Sequence, residues 1–184
     1  MKSLKKVIRY VSLFTIMALA IAYLTSCKDG KTGINFSLSY NTNFTINKST
    51  PITLPFNLLS PPITTNSEAE FEKNNTNAEK VVEVKSISGV LTITSPSGAT
   101  FSFVKDAYLY INAEGLSENL IAFKEDIGNE DNTLTLDLPN VDLAPYIKAK
   151  SFTLRLKVTT DETLTKDVEV NADVLFKVKA NPLK

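Results

Sequence analysis

The sequence contains no histidine and no tryptophan, and it has one cysteine in 184 residues. Histidine is the most frequent general base of enzymes and a frequent transition-metal ligand, so its absence removes both roles. One cysteine cannot form an intrachain disulfide, and zinc, copper and haem sites are built mainly from histidine and cysteine ligands. These absences argue against a metalloenzyme and against most acid–base catalysts.

The chain also lacks a basic block in its main part. The first 26 residues hold four basic and no acidic residues, which leaves 16 basic and 20 acidic residues, a formal charge of −4, in the other 158. Nucleic-acid binding needs clustered lysine and arginine, so we expect no nucleic-acid partner. A chain of 158 residues is the size of one domain and folds on its apolar core without disulfides.

The N-terminal segment has the three parts of a secretory signal peptide. Its basic residues lie within the first nine positions, an uncharged and largely apolar stretch runs from Tyr10 to Leu24, and small residues follow. The apolar stretch is shorter than the roughly 20 residues that a membrane-spanning helix needs. The pattern predicts a cleaved signal peptide over residues 1–26.

The stretch Leu24-Thr25-Ser26-Cys27 joins an aliphatic residue, two small residues and a cysteine. It resembles the lipobox of bacterial lipoproteins. The resemblance implies that Leu24, Thr25 and Ser26 are recognised by the signal peptidase. It also implies that the mature chain begins at Cys27, which carries diacylglycerol and a fatty acid such as palmitate. Two or more acyl chains hold a protein stably on a membrane.

The residues after the cysteine bear on sorting in this family. Lys28 stands where an aspartate retains enterobacterial lipoproteins at the inner membrane, so the resemblance favours the outer membrane. Surface lipoproteins of the Bacteroidota often carry a short acidic cluster here, which Lys28-Asp29 begins and Gly30-Lys31 ends. The periplasmic face and the cell surface both stay open.

After a polar tether at residues 27–33, one domain is predicted over residues 34–184. Apolar residues alternate there with polar ones in eight or nine short stretches separated by turn residues, the period of half-buried strands. This pattern predicts an all-β antiparallel β-sandwich, immunoglobulin-like or transthyretin-like, with one or two short helices in the connections. Its general character is similar to the small β-sandwich lipoproteins of the Bacteroidota, a likeness that implies no activity.

Two local features of the predicted sandwich are specific enough to check. Pro51 and Pro55 flank an alternating stretch, and proline within a strand favours a sheet edge. Asp161-Glu162 separates the last two alternating stretches and predicts the tip of a terminal β-hairpin. The strand order and the oligomeric state cannot be derived from one sequence.

Two short motifs resemble those of penicillin-binding proteins and β-lactamases. Ser102 and Lys105 match S-x-x-K, and Lys31-Thr32-Gly33 matches K-T-G, but their order in the chain is reversed. The serine of that family begins a helix, whereas Ser102 alternates with Phe101 and Phe103 in a predicted strand. We interpret both matches as coincidences, and we predict no catalytic residue and no enzyme activity.

The densest group of oxygen ligands lies between Glu125 and Asn132. Asp126, Glu130 and Asp131 are candidate calcium ligands, because calcium prefers carboxylate and amide oxygens. The spacing does not match an EF-hand loop, and a solvated connection between strands is the simpler interpretation. We therefore predict no cofactor.

Tyr108 and Tyr110 lie on one face of a predicted strand, where paired aromatic rings can stack on a ligand such as a sugar. The alternative is that they cover an edge of the core.

Two functions follow from these observations. The first is an outer-membrane lipoprotein with a non-enzymatic binding or structural module, whose strand edges pair with an envelope protein. The second is a module that binds glycan or peptide, and a hydrolase is the least supported.

Overall fold

Nine strands and two short helices build the part of the chain that the structure describes. This computed structural model describes residues 33–128 and 131–184. The strands are β1 (Ile34–Ile46), β2 (Phe56–Leu59), β3 (Ile63–Thr64), β4 (Val81–Ser95), β5 (Val104–Asn112), β6 (Asn119–Lys124), β7 (Thr133–Thr135), β8 (Ser151–Thr160) and β9 (Val168–Ala180). The α-helices are α1 (Ser67–Lys73) and α2 (Ala144–Lys148), and single 3-10 turns form at Ala78–Lys80 and Phe101–Phe103.

The strands form two antiparallel sheets, which confirms the predicted β-sandwich. Sheet A has the order β1-β9-β4-β7, and sheet B has the order β2-β8-β5-β6. The short strands β2 and β3 pair with opposite ends of β8, so together they form one interrupted edge of sheet B. The stretch flanked by Pro51 and Pro55 was predicted as an edge strand, but residues 52–54 form bends, and the edge strand β2 begins only at Phe56.

The core lies between the two sheets because each long strand buries alternate side chains. In β9 the buried apolar residues are Val168, Val170, Ala172, Val174, Phe176, Val178 and Ala180, and in β8 they are Phe152, Leu154, Leu156 and Val158. The ring centre of Tyr40 lies 5.1 Å from that of Phe152 and 5.9 Å from that of Phe176. This aromatic cluster links β1 and β9 of sheet A to β8 of sheet B.

One side of the sandwich is closed by the segment that follows β7. The N–H of Leu136 donates to the carbonyl of Gly89 in β4, at 2.9 Å. One residue later, Asp137 exchanges two backbone hydrogen bonds with Phe123 of β6, at 2.9 and 2.7 Å. The chain thus changes partner from sheet A to sheet B within two residues and joins the two sheets along this side.

Two local predictions were wrong. The last two strands do not form a hairpin, because β8 belongs to sheet B and β9 to sheet A, and Asp161-Glu162 begins the connection that crosses between them. Alternation shows which face of a strand is buried but not which sheet the strand joins. The residues Phe101–Phe103 form a 3-10 turn rather than a strand, and both phenylalanines are buried.

Candidate functional site

The predicted tyrosine pair lies on the outer face of sheet B. Alternation along β5 buries Leu109 and Ile111 in the core and leaves Tyr108 and Tyr110 half-buried on the other face. The sequence-based placement of the two tyrosines on one face is therefore correct. Whether they bind a ligand depends on what surrounds the rings.

Basic side chains of the neighbouring strand lie over both rings. In the pairing of β5 with β8, Tyr110 is opposite Arg155 and Tyr108 is opposite Lys157. The guanidinium carbon of Arg155 is 4.1 Å from the ring centre of Tyr110, and Nζ of Lys157 is 5.4 Å from that of Tyr108. Both distances are typical of cation–π contacts. A sugar stacking on these rings would have to displace the cations.

Acidic side chains complete this surface. Arg155 donates through Nε to Oε1 of Glu118 at 2.7 Å, and its other nitrogens reach the second oxygen of Glu118 and the side-chain oxygen of Asn57. The hydroxyl of Tyr108 donates to Glu125 at 2.5 Å, and this hydrogen bond, with a smaller effect of burial, raises the pKa of Tyr108 to about 12. The hydrogen bond from Arg155 lowers the pKa of Glu118. The polar groups of this face are thus paired with one another.

Sequence reasoning missed the contribution of Arg155, Lys157 and Glu118 to this surface. Arg155 and Lys157 alternate with buried residues along β8, which was visible in the sequence. The pairing of β8 with β5 was not, because it is set by the strand order. The two tyrosines therefore belong to a cation–π and ion-pair surface rather than to a bare aromatic platform.

The candidate calcium ligands do not converge where the structure describes them. Asp126 is exposed, and its backbone N–H donates to Oδ1 of Asp106 at 3.2 Å, while Glu130 lies outside the described residues. Asp131 contributes a backbone carbonyl that accepts from Phe101. Over residues 33–128 and 131–184, no three acidic or thiol side chains come together in a geometry that could hold a metal ion.

The remaining predicted residues fall into two groups. Ser102 sits in the 3-10 turn, where its hydroxyl accepts a hydrogen bond from Thr100. Leu24, Thr25, Ser26 and Cys27 lie outside the described residues, as do the first two residues of the K-T-G match. No helix in the described part of the chain has the length and apolar character to cross a membrane.

The side of the sandwich opposite the closed one has a long free strand edge. β1 pairs with β9 over all 13 of its residues. Among the described residues, no strand pairs with the other edge of β1. We call the side formed by β1 together with β2 and β3 the open side. Unpaired backbone groups along a strand edge can pair with another extended chain.

The open side is built from an almost uncharged part of the sequence. Residues 32–67 contain one charged residue, Lys48, whereas the chain average of 22% would give about eight in 36 residues. Natural edge strands usually carry lysine or proline, which discourage pairing with other chains. β1 carries neither, while the edge formed by β2 and β3 is flanked and interrupted by Pro51, Pro55 and Pro61-Pro62. The edge of β1 is thus the unprotected one.

A groove runs between the two edges of the open side. It has a volume of about 300 Å³ and is lined by Ser37–Tyr40, by Thr64–Asn66 and by Glu70. Two of these lining residues are joined by a hydrogen bond, in which the hydroxyl of Tyr40 donates to the carbonyl of Thr65 at 2.7 Å. Leu54, which precedes β2, is 61% exposed, and Leu59 is 71% exposed on the outer face of sheet B, opposite Arg155. The free backbone edge of β1 and this groove together form a surface suited to an extended peptide segment.

The two sheets define the class of fold, an antiparallel β-sandwich, and comparison with known proteins adds no family. No family model and no curated protein matches the chain. Among solved structures, a chain from Desmodium yellow mottle tymovirus is similar, with a TM-score of 0.32 and 10% sequence identity. That alignment covers 85% of this chain and 87% of the viral one.

Proposed function

We propose that this protein is a lipid-anchored, non-enzymatic binding module of the bacterial outer membrane, which holds a protein partner by strand pairing on the open side. The observation that carries the proposal is the free edge of β1, which is 13 residues long and has no charge and no proline. Strand addition takes its affinity from main-chain hydrogen bonds and its specificity from alternate side chains. Both components are available along β1.

The anchor in this proposal rests on the lipobox-like stretch that ends at Cys27. Changing Cys27→Ser removes the thiol to which diacylglycerol would attach. We expect the wild-type protein to incorporate a clickable palmitate analogue and to sediment with outer membranes, and the variant to lose the label and leave the membrane fraction. A labelled, membrane-bound Cys27→Ser variant would contradict the anchor.

The non-enzymatic part of the proposal is supported by chemistry that the described residues lack. They contain no histidine and no cysteine, and Ser102 of the S-x-x-K match lies in a 3-10 turn rather than at the start of an α-helix. Four surface grooves of 300–410 Å³ are lined by small polar and apolar residues with one to three charged residues each. A binding role needs none of the missing groups.

The strand-pairing part is tested by photo-crosslinking in living cells. A photoreactive amino acid at Asn41, exposed on β1, is compared with one at Thr135, exposed on β7 at the closed side. We expect a specific crosslinked product, identified by mass spectrometry, from position 41 only. A further protein carries both Ser39→Lys and Asn41→Lys, with the photoreactive amino acid moved to position 43. We expect no crosslinked product from this protein, because edge lysines oppose strand pairing.

A matched control carries two lysines at Thr133 and Thr135 instead. These residues are also exposed strand positions of sheet A, so the added charge is the same and only the side of the sandwich differs. Loss of the crosslink in the β1 variant with retention in the β7 variant supports the proposal. Equal yields of crosslinked product from the two probe positions and the two lysine variants would contradict the proposal.

Protease treatment of a tagged protein decides which partners are available. Digestion in intact cells would locate the domain on the cell surface, and protection until the outer membrane is opened would locate it in the periplasm. The glycan alternative needs the surface location. It is favoured by the tyrosine pair but opposed by the cations over both rings, so we rank it second.

A further inference from the structure

The sequence of β1 is nearly symmetric about its central residue, Tyr40. Residues at equal distances from Tyr40 form the pairs Ile34 and Ile46, Asn35 and Thr45, Phe36 and Phe44, Ser37 and Asn43, Leu38 and Thr42, and Ser39 and Asn41. Five of these six pairs match in character, either both apolar or both small and polar. Leu38 and Thr42 form the one mixed pair.

This symmetry matters because of how an antiparallel pair of identical strands is arranged. If two β1 strands pair about Tyr40, each residue lies opposite its equidistant partner, and both side chains point to the same face. Asn35 would face Thr45, and Ser39 would face Asn41, all exposed and able to hydrogen-bond. On the core side, Phe36 would face Phe44. No pair brings two charges together.

Self-pairing also fits the contrast between the sheet edges. The proline-flanked edge of β2 and β3 is protected against strand addition, and the β6–β7 side is closed by the hydrogen bonds between Phe123 and Asp137. β1 alone offers a long regular edge among the described strands. A two-fold interface uses the same patch on both copies, so one self-complementary edge is sufficient to build it.

We propose that the free edge of β1 pairs with β1 of a second copy, antiparallel and centred on Tyr40, so that two A sheets become one continuous eight-stranded sheet. The proposal rests on the proposed function, because it names the partner of the same edge.

Engineered cysteines test the register in the full-length protein, whose natural sequence has one cysteine. With both Asn35→Cys and Thr45→Cys, the two cysteines of one copy face those of the other, within disulfide reach. Within one strand they are ten residues, about 33 Å, apart, and each single variant leaves its cysteine at that distance from its symmetric copy. We expect a disulfide-linked dimer from the double variant and no more than background from either single variant.

The oligomeric state tests the same interface without a covalent link. We expect the full-length protein in mild detergent to have twice its monomer mass, measured by native mass spectrometry. Changing Ser39→Lys and Asn41→Lys places four ammonium groups beside the two-fold axis and should give the monomer mass. Changing Thr133→Lys and Thr135→Lys should leave the dimer intact.

The outcomes separate this proposal from the proposed function. A monomer that still crosslinks from Asn41 to a different envelope protein would overturn self-pairing and leave the binding module standing. A crosslink from Asn41 to the N-terminal part of the same chain, with the monomer mass, would overturn both. A dimer whose mass and disulfide pattern follow Asn35, Thr45 and the lysine variants as described supports both.

Discussion

At the scale of single residues, the hydroxyl of Tyr40 combines a structural and an electrostatic role. It lies in the core between the sheets and donates to the carbonyl of Thr65, so it fixes the segment before α1 against β1. Burial, with a smaller effect of the Glu70 carboxylate, raises the pKa of Tyr40 to about 12. The folded state therefore favours the neutral phenol.

A pH dependence follows from this pKa. Because the pKa is higher in the folded than in the unfolded state, the contribution of Tyr40 is complete below about pH 10 and is lost as the pH rises toward 12. We expect Tyr40→Phe to cost about 1 kcal/mol at neutral pH through the lost hydrogen bond. The variant should lose stability less steeply than wild type between pH 10 and 12. Urea unfolding across this range measures both effects, and parallel pH profiles would contradict the assignment.

Two buried serines give opposite predictions for the same substitution. The Oγ of Ser86 is buried and has no hydrogen-bond partner among the described residues, so Ser86→Ala should raise the free energy of unfolding by about 1 kcal/mol. The Oγ of Ser60 accepts from the N–H of Leu154 at 2.8 Å, and Ser60→Ala would leave that buried donor unpaired. We expect a loss of about 1–3 kcal/mol for Ser60→Ala. Chemical denaturation of both variants shows whether the two changes in the free energy of unfolding have opposite signs.

At the scale of elements, the closure of the sandwich depends on a close approach at Gly89. A Cβ at this position would lie 3.0 Å from Cβ of Ala122, a contact that requires β4 or β6 to shift. We expect Gly89→Ala to destabilise the domain by about 1–3 kcal/mol through overpacking. Gly33→Ala is a matched control, since its Cβ would meet its nearest atom at 3.5 Å. Equal melting temperatures for the two variants would contradict a tight junction at Gly89.

The strands also show how much of the fold can be predicted from the sequence. Alternation identified most strands and the faces of β5 and β9, because burial of one face acts on every second residue. Leu134, Leu136 and Leu138 also alternate with polar residues, a pattern that predicts a strand over all five positions. Only Thr133–Thr135 is a strand there, since the chain leaves β4 for β6 at Asp137. A local pattern does not record a change of partner strand.

The candidate site was predicted less completely for the same reason. Tyr108 and Tyr110 were placed on one face, but their cationic neighbours come from β8, about 45 residues later in the chain. The open side was not predicted at all, although the scarcity of charge between residues 32 and 67 was visible. The scarcity of charge becomes informative only when the strand order shows that β1 and the strands β2 and β3 are sheet edges on the same side of the sandwich.

At the scale of the whole molecule, charge is distributed unevenly over the two sides of the sandwich. The cation–π surface and its acidic partners lie on the outer face of sheet B. The open side carries Lys48, the one charge of residues 32–67, and Glu70 in its groove. High salt screens ion pairs and leaves backbone hydrogen bonds and apolar burial largely unaffected. We infer that association through the open side persists in concentrated salt.

The position of β1 in the chain adds a consequence for where pairing takes place. β1 begins at Ile34, seven residues after Cys27, so the proposed anchor at Cys27 would keep the start of this strand within about 25 Å of the bilayer surface. Two anchored copies then diffuse in a plane, with their pairing edges at the same height. Meeting in two dimensions at a fixed height raises the effective local concentration far above that of the free domains. The pairing expected in detergent would therefore be more complete on a membrane, where the surface density of the protein would set the extent of its assembly.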